Sequence, residues 1–217
     1  MDLTVLWNAE GAAVVFGGTA LATVLRSGGG ELRAALVSIA TLGRSPFDYS
    51  AARAQIAGQV EEIRHDGILC AGPNSSSDEE IADATAALIR HRSIGAALAT
   101  HEDYKSARMD QRIKALRVLE QASELAPIAG LAGTLLALAQ LPADGLERGG
   151  MMGVVAMAVV STFYGLLLAH LIIQPLARWV ERRADAEEAE RQHLIDWLAA
   201  QVGPYCPSVR RIERISA

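Results

Sequence analysis

Residues 151–173 read MMGVVAMAVVSTFYGLLLAHLII, 23 residues with no Asp, Glu, Lys or Arg and with His170 as their one side chain of a type that ionises near neutral pH. A helix needs roughly 20 apolar residues to cross about 30 Å of hydrocarbon, so this stretch reads as a membrane span. Working outward, residues 126–141 form a second apolar run of 16 residues. It continues backwards through Ile113, Leu116, Val118 and Leu119 at helical spacing, which predicts one long helix entering the bilayer near Glu124. Residues 11–25 form a third apolar segment, of marginal length beside the other two.

Each of the two main runs holds one threonine among small residues, Thr134 and Thr162. A hydroxyl in hydrocarbon is costly unless it bonds a carbonyl, a neighbouring helix or water, and membrane-embedded polar groups often mark a conduction path. The plainer reading is that each threonine bonds back to a carbonyl one turn earlier. Small residues also recur every four positions, at Gly149, Gly153, Met157, Ser161, Gly165 and Ala169 in one run and at Ala129, Gly133 and Ala137 in the other. Such stripes let membrane helices approach closely, so Gly133, Gly153, Ser161 and Gly165 are expected packing positions.

Nineteen of the 20 Lys and Arg flank the spans on one side, and only Arg148 falls in the connection between the two main runs. The positive-inside rule puts that side in the cytoplasm and the amino terminus outside. The expected architecture is therefore all-α and multi-pass. A first span covers 1–27, a helical cytoplasmic insertion 28–111, paired spans 112–178 and a cytoplasmic helix and tail 179–217. The pattern of a cleaved signal peptide is not seen, so the first helix is expected to act as its own insertion signal.

The insertion carries no long apolar run and balances its basic and acidic side chains. Helices are expected over 32–42, 49–69 and from 78 to about 89, separated by Gly43–Pro46 and by the loop 71–76. Ser77, Asp78, Glu79 and Glu80 read as a capping box, with the Ser77 oxygen and the Glu80 carboxylate serving the first amides. A last helix then leads into the membrane, and the tail mirrors it after Pro175, as far as Gly203 and Pro204. A net charge of −5 offers no reason for nucleic-acid binding. Cys70 and Cys206 lack metal-ligand spacing, and His65, His91, His101 and His193 stand scattered among charged residues. No cofactor, metal site or nucleophile-base pair is expected, which argues against an enzyme. His170 reads either as a protonation site or, by the plainer account, as a hydrogen-bond donor to a neighbouring helix.

The strings from Glu124 to Thr134 (ELAPIAGLAGT) and from Ala158 to Ala169 (AVVSTFYGLLLA), followed by Pro175, Leu176 and Ala177, resemble the two signature membrane helices of the MotA/TolQ/ExbB proton-channel family. The early Val14, Val15, Phe16, Gly17, Gly18 and Thr19 resemble the MotA branch in particular, as does the long cytoplasmic insertion. The resemblance implies an inner-membrane homo-oligomer, a pentamer, around a single-span MotB-like partner that supplies the titratable aspartate. It implies that Thr134 and Thr162 line the ion pathway, and that Pro127 and Pro175 are the matching structural or gating prolines. In the stretch where the family contacts a rotor protein, Arg64, His65 and Asp66 match the basic part, while Cys70 and Ala71 stand where acids are usual. MotA-type subunits also carry one more amino-terminal span. The expected function is an ion-conducting subunit, for protons or sodium, of a stator such as that of a flagellum. A TolQ/ExbB-like energiser and a non-conducting membrane scaffold remain the alternatives.

Overall fold

A computed structural model describes residues 9–45, 47–66, 78–139 and 148–206, and among them every regular element is helical. The order is α1 (Ala9–Arg26), α2 (Gly29–Thr41), α3 (Tyr49–Asp66), α4 (Glu79–His91), α5 (Ile94–Ala139), α6 (Arg148–Leu167), a π-helical turn over Leu168–Ile173, α7 (Gln174–Val202) and a short 3₁₀ turn at Gly203–Tyr205. Two helical stretches are long and apolar enough to cross a membrane, Ile94–Ala139 and Met151–Tyr205. At 1.5 Å per residue, the 18 residues of α1 reach about 27 Å, just under the hydrocarbon thickness.

The chain forms two compact units, one from Met1–Gly43 with Gln111–Arg182 and one from Arg44–Asp110 with Arg183–Ala217. In the first, α1 runs beside α5 and α6. Its inward stripe of Gly11, Val15, Thr19 and Thr23, spaced by four, is buried, while Phe16, Leu21, Val24 and Leu25 stay exposed. Val15 packs with Leu119, Ala126, Leu168, Ala169, Ile173 and Val180. The chain turns at Ser27, whose hydroxyl donates to Gln121 Oε1 at 3.2 Å, and Gly28 caps α2. Ala34 and Ala35 then seat α2 on Ala115 and Val118, with Arg117 reaching Glu31 at 3.0 Å.

The second unit is a helical bundle cored by Ile56, Val60 and Ile63 of α3, Ile81, Ala84 and Leu88 of α4, Ala97 of α5, and Leu194, Ile195 and Leu198 of α7. The helix breaks fall close to the expected places. The expected capping box takes another form. Asp78 is the N-cap, its carboxylate accepting from the Glu80 and Ile81 amides, whereas Glu80 is drawn inward to 4% exposure. Ser77, Cys70 and the loop 71–76 lie outside the described residues. Between α4 and α5, Arg92 adopts the left-handed conformation (φ 52°) that ends one helix so the next can start at Ile94.

Candidate ion-pathway site

Of the expected site residues, Pro127, Gly133, Thr134, Ser161, Thr162 and Gly165 come together where α5 crosses α6. A Cβ built on Gly165 would stand 2.6 Å from the Ala126 carbonyl oxygen, 3.2 Å from the Gly130 Cα and 3.2 Å from the Pro127 Cα. On the facing helix, a Cβ on Gly130 would lie 3.0 Å from the Ser161 carbonyl oxygen and 3.2 Å from the Thr162 Cα, and one on Gly133 would lie 3.0 Å from the Ser161 Cβ. The two backbones touch because neither carries a side chain at these points, which is the close approach that small-residue stripes permit. Ser161 is fully buried at the crossing and donates its hydroxyl to the Met157 carbonyl at 3.0 Å. α1 closes the group, with Gly18 against the Ala129 Cβ and Val14 against Gly133, both at 3.6 Å.

Thr134 and Thr162 flank this crossing. Thr134 lies one turn beyond Gly130, and the Thr162 backbone packs on Gly130 itself. Both are half-buried. The Thr134 hydroxyl donates to the Leu131 carbonyl at 2.7 Å, while that of Thr162 reaches the Ala158 carbonyl only at 3.5 Å, the outer limit of a hydrogen bond. The Thr162 hydroxyl is thus weakly held by its own helix. Gly153 stands apart, exposed and with nothing within 4 Å of its Cβ position in the single chain.

Pro127 sits inside α5 without ending it, in the stretch that abuts Gly165. Pro175 follows the π-turn Leu168–Ile173, and a physical cause links the two. Proline has no amide hydrogen and its ring collides with the carbonyl four residues earlier. A wider turn bonded from i to i+5 relieves that collision, and the Gln174 amide accordingly donates to the Ala169 carbonyl. Arg64 lies in the other unit, exposed on α3 and paired with Glu61 at 3.3 Å, and Asp66 is the last residue of α3.

Three features escaped the sequence reading. Gly130 is seated against the α6 backbone, its built Cβ 3.0 Å from the Ser161 carbonyl oxygen, but it falls outside the four-residue stripe of its own helix. Thr19 is 4% exposed, with no hydrogen-bond partner for its hydroxyl among the described residues. In the second unit, Glu80 and His101 form a buried ionic knot. His101 Nδ1 faces Glu80 Oε1 at 2.5 Å, Arg108 meets Glu80 Oε2 at 2.5 Å, Arg191 meets it at 2.8 Å, and Arg191 also holds Asp78 at 2.9 Å. Burial opposes ionisation of Asp78, yet the hydrogen bond and charge of Arg191 hold its carboxyl below the usual carboxylate value. No sequence spacing announces partners that lie on α4, α5 and α7.

The profile of the MotA/TolQ/ExbB proton channel family matches residues 76–193, more than half of the chain. The chain belongs to that family, one of membrane proton channels and not of enzymes. It is 35% identical over 98 residues to "Uncharacterized protein YtxD" of Bacillus subtilis (strain 168), a match covering 44% of this chain and 36% of that protein, about a third of its length. Two solved structures share the fold. The flagellar MotAB stator complex from Bacillus subtilis matches with a TM-score of 0.80 at 17% identity, over 94% of this chain and 82% of that chain. The MotAB of C. jejuni matches with a TM-score of 0.77 at 15% identity, over 94% and 90%. The fold is therefore MotA-like and membrane-embedded.

Proposed function

We propose that this chain is the ion-conducting subunit of a MotA-like stator, which converts an ion gradient into mechanical work such as flagellar rotation. The observation that carries the reading is the pair of threonines held at one glycine-seated helix crossing, with the Thr162 hydroxyl only loosely bonded by its own helix. Hydroxyls relay a proton or coordinate a hydrated cation through water, but at ordinary pH they do not bind and release the proton themselves. A carboxylate must come from elsewhere, and the fold shared with MotAB complexes supports a single-span MotB-like partner as its source.

In this reading α1 is a third span, the amino terminus faces outward, and the chain sits in the bacterial inner membrane. It assembles as a homo-oligomer, a pentamer by family resemblance, around the partner. Pro127 and Pro175 shape the cytoplasmic ends of the pore helices. The end of α3, with the exposed Arg64 and with Asp66 as its last residue, faces the rotor protein.

Ion flux into vesicles holding the chain and its single-span partner tests this. The wild-type complex should conduct, and Thr134→Val with Thr162→Val should abolish conduction while leaving the complex assembled. Separate proton and sodium gradients name the ion. A correctly assembled wild-type complex that passes neither would overturn the proposal.

A further inference from the structure

The last span holds one histidine, which the channel reading leaves unused. His170 sits within the π-turn Leu168–Ile173, is exposed, and makes no hydrogen bond among the described residues. An ionisable side chain turned to lipid without a partner is costly, so this position calls for a wet neighbour. His170 lines a groove of about 580 Å³ with Gln174, Arg178 and Arg182. These four recur every fourth residue, a polar ladder running from inside the span to its cytoplasmic end.

The π-turn also aims the ladder. Eight residues of α-helix separate Thr162 from His170 and would rotate about 800°, leaving the two roughly 80° apart around the axis. A turn bonded from i to i+5 advances less per residue and narrows that angle. The distortion that Pro175 imposes thus brings His170 toward the face of Thr162.

We propose that His170 is the cytoplasmic proton acceptor of the pathway, an inference that rests on the channel reading above. A proton leaves the partner's carboxylic acid and travels through water at the level of the threonines to a free ring nitrogen of His170. The carboxylate is thereby restored, and the imidazolium returns the proton to cytoplasmic water along the groove. No electrons move, and the conducted ion is a proton. The charged groups in the groove are Arg178 and Arg182, whose guanidinium groups keep it hydrated. Among the described residues, no charged side chain of another element lines it. A neighbouring groove that shares Gln174 and Arg178 carries Glu120 and Glu124 of α5 and Glu181 of α7.

The test is proton flux through the reconstituted complex with the pH of the cytoplasmic-face compartment varied. Wild-type flux should change with that pH, as expected when the acceptor is a group that itself takes up and releases the proton. His170→Gln should flatten the profile and lower flux at least about 10-fold, as expected for loss of a positioned proton acceptor. Imidazole added to that compartment should restore flux to His170→Gln. An unchanged profile and rate in His170→Gln would overturn the proposal, and so would a loss of flux that imidazole fails to restore. A wild-type complex without flux would instead strike the channel reading itself.

Discussion

Gly165 has room for a hydrogen and nothing larger, because the Ala126 carbonyl oxygen occupies the space a Cβ would need at 2.6 Å. Backbone cannot yield as a flexible side chain can, so Gly165→Ala should destabilise the first unit by about 1–3 kcal/mol, the usual range for overpacking. Gly153→Ala, with open space around it, should leave the thermal midpoint of the detergent-solubilised protein unchanged. Equal midpoints for the two variants would remove the crossing as a structural determinant. Glu80 makes a second residue-scale case. Its carboxylate answers His101, Arg108 and Arg191 from within the bundle. Removing one member of a buried charge group leaves the others uncompensated, typically at about 3–5 kcal/mol. Glu80→Ala should therefore lower the denaturation midpoint followed by fluorescence of Trp197, which packs against that core. A midpoint within error of wild type would show the knot to be dispensable.

The start of α4 depends on Asp78, which caps two amides and pairs with Arg191. Because its carboxyl is held below the ordinary value of 3.8 in the fold, its contribution is complete above that pH and lost as pH falls below it toward the depressed value. Asp78→Asn keeps some capping ability but loses the charge. Acid unfolding of Asp78→Asn should consequently begin from a lower stability and show a shallower dependence below about pH 4 than wild type. Identical acid slopes would contradict the pairing. At the opposite extreme, the hydrogen bond from Tyr104 to Asp83 at 2.7 Å raises the phenol from 10.0 to about 12. The neutral phenol is the bonded form, so this tie between α5 and α4 persists below pH 10 and is lost as pH rises through about 12. Ultraviolet titration of Asp83→Asn should return Tyr104 toward its ordinary value.

For the whole molecule, membership in a family of membrane proton channels and the MotA-like fold predict a protein that detergent extracts and alkaline carbonate does not. The exposed Leu135, Leu136, Met152, Val159 and Phe163 of the apolar helices need lipid or further copies of the chain to cover them. Size-exclusion chromatography with light scattering should therefore find an oligomer in detergent. Release of the chain by carbonate, or a monomer at all concentrations, would count against the membrane assembly.

Much of this architecture stood in the local sequence, because the features that mark it are local. Uncharged length marks the main span, glycine and proline punctuate the helices near Gly28, Gly43 and Gly203, and the four-residue spacing of Ser161, Gly165 and Ala169 marks a buried face. Composition within a window settles such matters, since a helix crossing lipid must satisfy its own backbone. The partnerships belong to the folded chain alone. Glu80 looked like a capping residue, and it became the centre of a buried knot because Arg191, 111 residues away, and His101, 21 away, meet it there. Gly130 had no stripe to mark it, and only the crossing with α6 shows why it carries no side chain. Such contacts join residues whose separation along the chain bears no relation to their separation in space, so no window of sequence contains them.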